Sequence, residues 1–93
     1  MVSIKEATAN AIEFARAALG PERTNGVRLE EVESTNVGGR DVWLITLSMI
    51  SPEEQLDPIA AAFGHARREY KTFTVLKDNG EIRSMKIREL ANV

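Results

Sequence analysis

The residues best suited to chemistry in this 93-residue chain lie in HARREYK, His65 to Lys71. Arg67, Arg68 and Lys71 can engage phosphate or carboxylate groups, because guanidinium and ammonium donors form charge-assisted hydrogen bonds. If Arg68 and Tyr70 share one strand face, they present a cation and an aromatic ring together. That pairing suits an acidic peptide, another protein or single-stranded nucleic acid. The plainer reading is a solvated strand start whose charges keep a sheet edge from aggregating. Twelve Lys and Arg against 14 Asp and Glu give a formal net charge of -2. With so few aromatics, that balance counts against a nucleic-acid partner.

The rest of the chemical inventory is thin. The single His65 is available for acid–base work, with Asp57 or Glu69 as a partner carboxylate. It reads more simply as a surface or loop residue, and one histidine cannot form a multi-histidine metal centre. Glu53, Glu54 and Asp57 could form a carboxylate cation site, but they read more simply as helix capping and solubility, since carboxylates favour a helix start. Glu30, Glu31 and Glu33 alternate across strand faces and mark an edge or exposed strand. No serine or threonine has a recognisable base partner. The chain has no Cys, so disulfides, thiol catalysis and thiolate metal sites are excluded. Gly38-Gly39 lacks the spacing of a phosphate-binding loop and reads as a turn, with Arg40 beside it. No catalytic residue, metal ligand or cofactor site is assigned.

These groups need a scaffold, and the chain is long enough for one domain, residues 1–93, with a modest core. Apolar residues make up 43% of it, which supports folding rather than disorder. Ser3 and Glu6 form a capping box with Val2 placed to staple onto Ala7. Ile4, Ala7, Ala11, Phe14, Ala15, Ala18 and Leu19 then share one helical face, with Ile12 at its margin, until Gly20 and Pro21 stop the helix. So many alanines let the helix lie close on a sheet, and Phe14 is left to supply contact bulk.

A polar loop runs to Gly26, and a first strand is expected over Val27 to Thr35. Its apolar phase slips at Glu30 and Glu31, which predicts a bulge or a strand with two partly buried faces. Gly38 and Gly39 turn the chain into a second strand, Arg40 to Ile50. Trp43, Ile45, Leu47 and Met49 line one of its faces; Val42, Leu44 and Ile50 line the other. A long loop with short helical turns around Ser51 to Leu56 and Pro58 to Phe63 follows. A third strand, Tyr70 to Lys77, leads through Asp78-Asn79-Gly80 into a fourth, Glu81 to Leu90, where the parity switches again. One helix on a curved four-stranded antiparallel meander, an α+β fold, is the simplest assembly.

TVLKDNGEIRSM, Thr74 to Met85, is a strand, a turn carrying Asp78, Gly80, Glu81 and Ile82, and a further strand. With the Ala-rich helix and the strand ending in VWLITLSM, it resembles the PepSY-type modules. That resemblance implies a helix-plus-meander domain and a role in regulating peptidases, often outside the cytoplasm. The chain departs from the pattern in its inserted loop, Ser51 to Arg68, and in having no attached protease. Its start carries no basic region followed by an apolar core, and no run approaches a membrane span. A cytoplasmic setting without membrane contact is the expectation.

Three functions remain open on the residues. The leading one is non-catalytic binding or regulation through protein contacts. The second is a small-ligand or anion site, or a weak enzyme, near His65, Arg68 and Tyr70. The third is self-association as a homodimer, through an exposed edge or through Val42, Leu44, Tyr70 and Leu76 on the face opposite the helix, unless the inserted loop and Phe63 cover it. Trp43 belongs to the core if the helix covers its face, and to a partner surface if it does not.

Overall fold

The capping box forms as the sequence reads. Ser3 Oγ accepts the Glu6 N–H at 3.1 Å and the Glu6 carboxylate accepts the Ser3 N–H at 3.3 Å. They launch helix α1, Ile4–Leu19, which ends at Gly20. Pro21 starts a 3₁₀ turn, Pro21–Thr24, where the sequence reads as plain loop. In the computed structural model, which describes residues 1–50 and 68–88, four strands follow. They are β1 (Arg28–Val37), β2 (Arg40–Ile50), β3 (Arg68–Leu76) and β4 (Ile82–Ile87). The strands form one antiparallel sheet in the order β1-β2-β3-β4, so the expected helix-then-meander architecture is the one observed. The expected helical turns after Ile50, and Glu53, Glu54, Asp57, Phe63, His65 and Arg67 with them, lie outside the described residues.

The two turns follow from glycine chemistry. Gly38 and Gly39 have φ of 61° and 84°, the left-handed pair that a two-residue hairpin requires. Asn36 Oδ1 locks the turn by accepting the Gly39 N–H at 3.1 Å. In the second hairpin Gly80, at φ 78°, donates to the Leu76 carbonyl at 2.8 Å. Asn10 of α1 donates to the Gly80 carbonyl at 3.2 Å, so this turn is also a helix contact.

Both suspected phase slips are bulges. Leu29 pairs with Leu47 and Glu31 with Thr46, leaving Glu30 as the extra residue of β1. Thr74 pairs with Ser84 and Val75 with Ile82, leaving Arg83 extra in β4. The bulge lets Ile82 and Met85, of opposite parity, pack on the same core. β1 and β4 are the outer strands of the sheet, and each carries a bulge and charged residues, the devices that discourage edge-to-edge pairing.

The core lies between α1 and one face of the sheet. Ala7, Ala11 and Ala15 meet Ile45, Leu47, Met49, Phe73 and Val75, all without solvent exposure. Trp43 packs against this cluster, so the helix covers the Trp43 face. Its indole N–H donates to the Val2 carbonyl at 3.2 Å, and the Lys77 ammonium sits 4.1 Å from its ring centroid.

The buried stripe of α1 is narrower than its apolar periodicity. Ile4 is 44% exposed, Phe14 39% exposed and Ala18 exposed, whereas Ile12 joins the core contacts. Three alanines four residues apart let the helix approach on one line, and flanking side chains are left beside the contact. Phe14 still reaches Phe73 edge-on, with centroids 6.4 Å apart. Three strand limits also differ from the sequence reading by two residues or more, the first being the end of β1 at Val37 rather than Thr35. β3 starts at Arg68 rather than Tyr70, because Ile50 and Met49 supply partners for Arg68 and Glu69. β4 ends at Ile87, three residues short of Leu90.

Candidate functional site

The face of the sheet away from α1 carries the polar chemistry. Its rows follow from the register: Glu33, Leu44, Thr74 and Ser84 lie side by side, as do Glu31, Thr46, Thr72 and Lys86. Hydroxyls bond along the rows, Thr46 to Thr72 at 3.1 Å and Ser84 to Thr74 at 2.9 Å. Val42, Leu44 and Leu76 share this face, as parity predicts. Val42 is 1% and Leu76 3% exposed, so Leu44, half-buried, is the aliphatic side chain of the three that is open there.

At one end of the face a polar ladder ties three strands together. The bulge turns Glu30 toward β2, where Ser48 Oγ donates to its carboxylate at 2.5 Å. Arg28 Nε donates to the same carboxylate oxygen at 2.6 Å. Arg68 Nε in turn donates to Ser48 Oγ at 2.8 Å, and its Nη2 donates to the Ser48 carbonyl at 3.2 Å and to the Gly26 carbonyl. Ser48 is fully buried and reads as a strut rather than a nucleophile, since no solvent path reaches it. Burial holds the Arg68 guanidinium below its ordinary pKa, and the neighbouring Arg28 charge adds to this. An anion beside Arg68 would relieve both effects.

The Ser48 hydroxyl, and then Arg28, hold the Glu30 carboxyl below the ordinary carboxylate range. A carboxyl with a depressed folded-state pKa stabilises the fold above its unfolded value, about 4.3, and the contribution is lost as pH falls through the folded value. The wild type is therefore expected to lose stability on acidification below about pH 4.3, and Glu30→Gln to flatten that part of the profile. Urea midpoints measured from pH 7 to pH 3 check this. An equally steep acid limb in the variant would mean that Glu30 is not linked to folding.

Beyond this ladder, where β4 ends, lies a cleft of about 430 Å³. Arg68, Glu69, Tyr70 and Lys71 supply one wall from the start of β3, Arg23 a second from the 3₁₀ turn, and Ile87 and Arg88 a third. Arg68 and Tyr70 do share one strand face, pairing with Ile50 and Ser48, while Lys71 points to the helix side. Lys71 is 7% exposed and has no hydrogen-bond or ion-pair partner among the described residues. The one acid of the cleft, Glu69, is bound to Arg23 at 3.3 Å. Four cationic side chains thus surround one depression, with a half-buried tyrosine among them.

Of the four residues in the sequence-predicted patch, the structure brings Arg68, Tyr70 and Lys71 to one cleft; Arg67 is outside the described residues. Sequence reasoning missed Arg23 and Arg88. Neither lies near HARREYK in the chain, and neither carries a local signal; only the register of β3 against β4 places Arg88, whose N–H donates to the Tyr70 carbonyl at 2.8 Å. Among the described residues no group of three or more His, Asp or Glu side chains could hold a metal ion. Among the described residues no helix is long and apolar enough to cross a membrane. Compared with known proteins, the chain matches no family model, no curated sequence and no solved structure, so its site is read from its own geometry.

Proposed function

We propose that the chain is a non-catalytic binding module that takes an acidic segment of another protein in the cleft at the start of β3. The observation that carries this reading is the charge of the cleft: Arg23, Arg68, Lys71 and Arg88 line it with one acid, Glu69, and even with Arg23 paired to Glu69 and Arg88 to Glu31, Arg68 and Lys71 remain. Lys71 gives the sharpest support, because it is buried and has no counter-charge among the described residues. Partly desolvated cations bind carboxylates more strongly than solvated ones do. Tyr70 adds a flat surface against which a peptide backbone can lie. The resemblance to PepSY-type modules makes a peptidase the first partner to try, and a cytoplasmic setting goes with the sequence reading.

Calorimetric titration with a blocked tri-glutamate peptide, and separately with inorganic phosphate, tests the proposal. Saturable, salt-sensitive binding of the peptide is expected, and Lys71→Gln is expected to weaken it about fivefold to tenfold, the equivalent of roughly 1 to 1.4 kcal/mol. Lys71 is buried, so the unfolding midpoint of the variant is measured alongside, and the titration is run where both proteins are fully folded. Binding of phosphate but not peptide would reassign the cleft to a small anion. Binding of neither would end the proposal.

A further inference from the structure

The cationic cleft does not end at Arg88. The same side chain lines a second depression of about 220 Å³ on the face away from α1, with Glu31, Glu33, Leu44, Thr46 and Thr72. Arg88 leaves the end of β4 and crosses the sheet, donating to Thr46 Oγ1 at 3.3 Å and to the Glu31 carboxylate. It forms the shared wall of two adjoining hollows of opposite charge. Leaving the shared Arg88 aside, Arg23, Arg68 and Lys71 face Glu69 in one hollow, and Glu31 and Glu33 are the charged lining of the other. Arg88 neutralises Glu31. Glu33 has no hydrogen-bond or ion-pair partner among the described residues and stands exposed beside half-buried Leu44.

We propose that the two hollows form one bipolar groove, and that the segment it binds is of mixed charge. An acidic side chain enters the cleft, and a Lys or Arg further along lays its stem on Leu44 and its cationic head on Glu33. This rests on the cleft being the acidic-segment site. Long cationic side chains cover apolar surface with their stems while the head stays in water, and Leu44 beside Glu33 offers both contacts. The register also sets a spacing. Tyr70 marks the cleft and pairs with Ser48, which lies four residues from Leu44 on β2. Four strand residues span about 13 Å, and a peptide in extended form presents positions i and i+4 on one side over that length. The motif is therefore acid, three residues, base.

Two blocked peptides, Glu-Gly-Gly-Gly-Lys and Glu-Gly-Gly-Gly-Gln, test this by titration against the wild type, Glu33→Gln and Lys71→Gln at low salt. The lysine peptide is expected to bind the wild type about threefold to fivefold more tightly, equivalent to an exposed ion pair of roughly 0.6 to 1 kcal/mol. Glu33→Gln is expected to erase that advantage without weakening the glutamine peptide, and Lys71→Gln to weaken both peptides. Equal affinity of the two peptides for the wild type, with Lys71→Gln still weakening both, overturns the bipolar groove and leaves the acidic cleft standing. An advantage that survives Glu33→Gln also overturns it. No saturable binding of either peptide removes the cleft reading and the groove together.

Discussion

Phe73→Ala is expected to lower the unfolding free energy by about 3–5 kcal/mol, the usual cost of removing a buried phenylalanine. Phe73 leads the fully buried side chains by volume and sits mid-strand in β3, opposite Ile45 and Met85. The helix side of its pocket is lined with alanines, Ala7, Ala11 and Ala15, which have no side-chain freedom to fill a void. Phe14 would also lose its edge-on partner, a contact worth about 0.5–1.5 kcal/mol. A domain of this size is stable by roughly 5–14 kcal/mol, so the change removes a large part of the total. Urea unfolding followed by circular dichroism measures it. A loss under about 1 kcal/mol would show that the helix is not held by this side chain.

How much of this was legible depends on the distance over which each signal acts. The Ser3–Glu6 cap, the Gly38-Gly39 turn and β2 from Arg40 to Ile50 are set by neighbours within a few residues, and all three form as read. The phase slips at Glu30 and near Arg83 were visible as broken alternation, and a bulge is the physical form that such a break takes. The start of β3 was missed because Arg68 and Glu69 look like loop residues. Their pairing comes from the length of β2, a strand eighteen or more positions away in the chain. The site shows the same division. Arg68, Tyr70 and Lys71 fall within four consecutive residues and were singled out together, whereas Arg23, Arg88 and the Glu30–Ser48 contact join the site only because distant elements meet.

Arg68→Met separates the two roles that Arg68 combines. Methionine keeps the apolar stem and removes the guanidinium. Ser48, fully buried, then loses the donor at 2.8 Å to its hydroxyl and the donor at 3.2 Å to its carbonyl, and the Gly26 carbonyl loses its bond as well. A buried polar group left short of a partner, next to a lost charged donor, costs about 1.5–3 kcal/mol. The unfolding free energy is expected to fall by that amount, and affinity for the tri-glutamate peptide to fall at least as far as it does in Lys71→Gln. Urea unfolding and calorimetry on one preparation read both effects. The contrast between the variants carries the argument, since Arg68→Met removes hydrogen bonds to two buried acceptors, the Ser48 hydroxyl and carbonyl, and Lys71→Gln removes none among the described residues. Stability unchanged in Arg68→Met would show that the Glu30–Ser48–Arg68 ladder does not hold this end of the sheet. Peptide binding unchanged in the same variant would move the anion away from Arg68, toward the other cations that line the cleft, Arg23, Lys71 and Arg88.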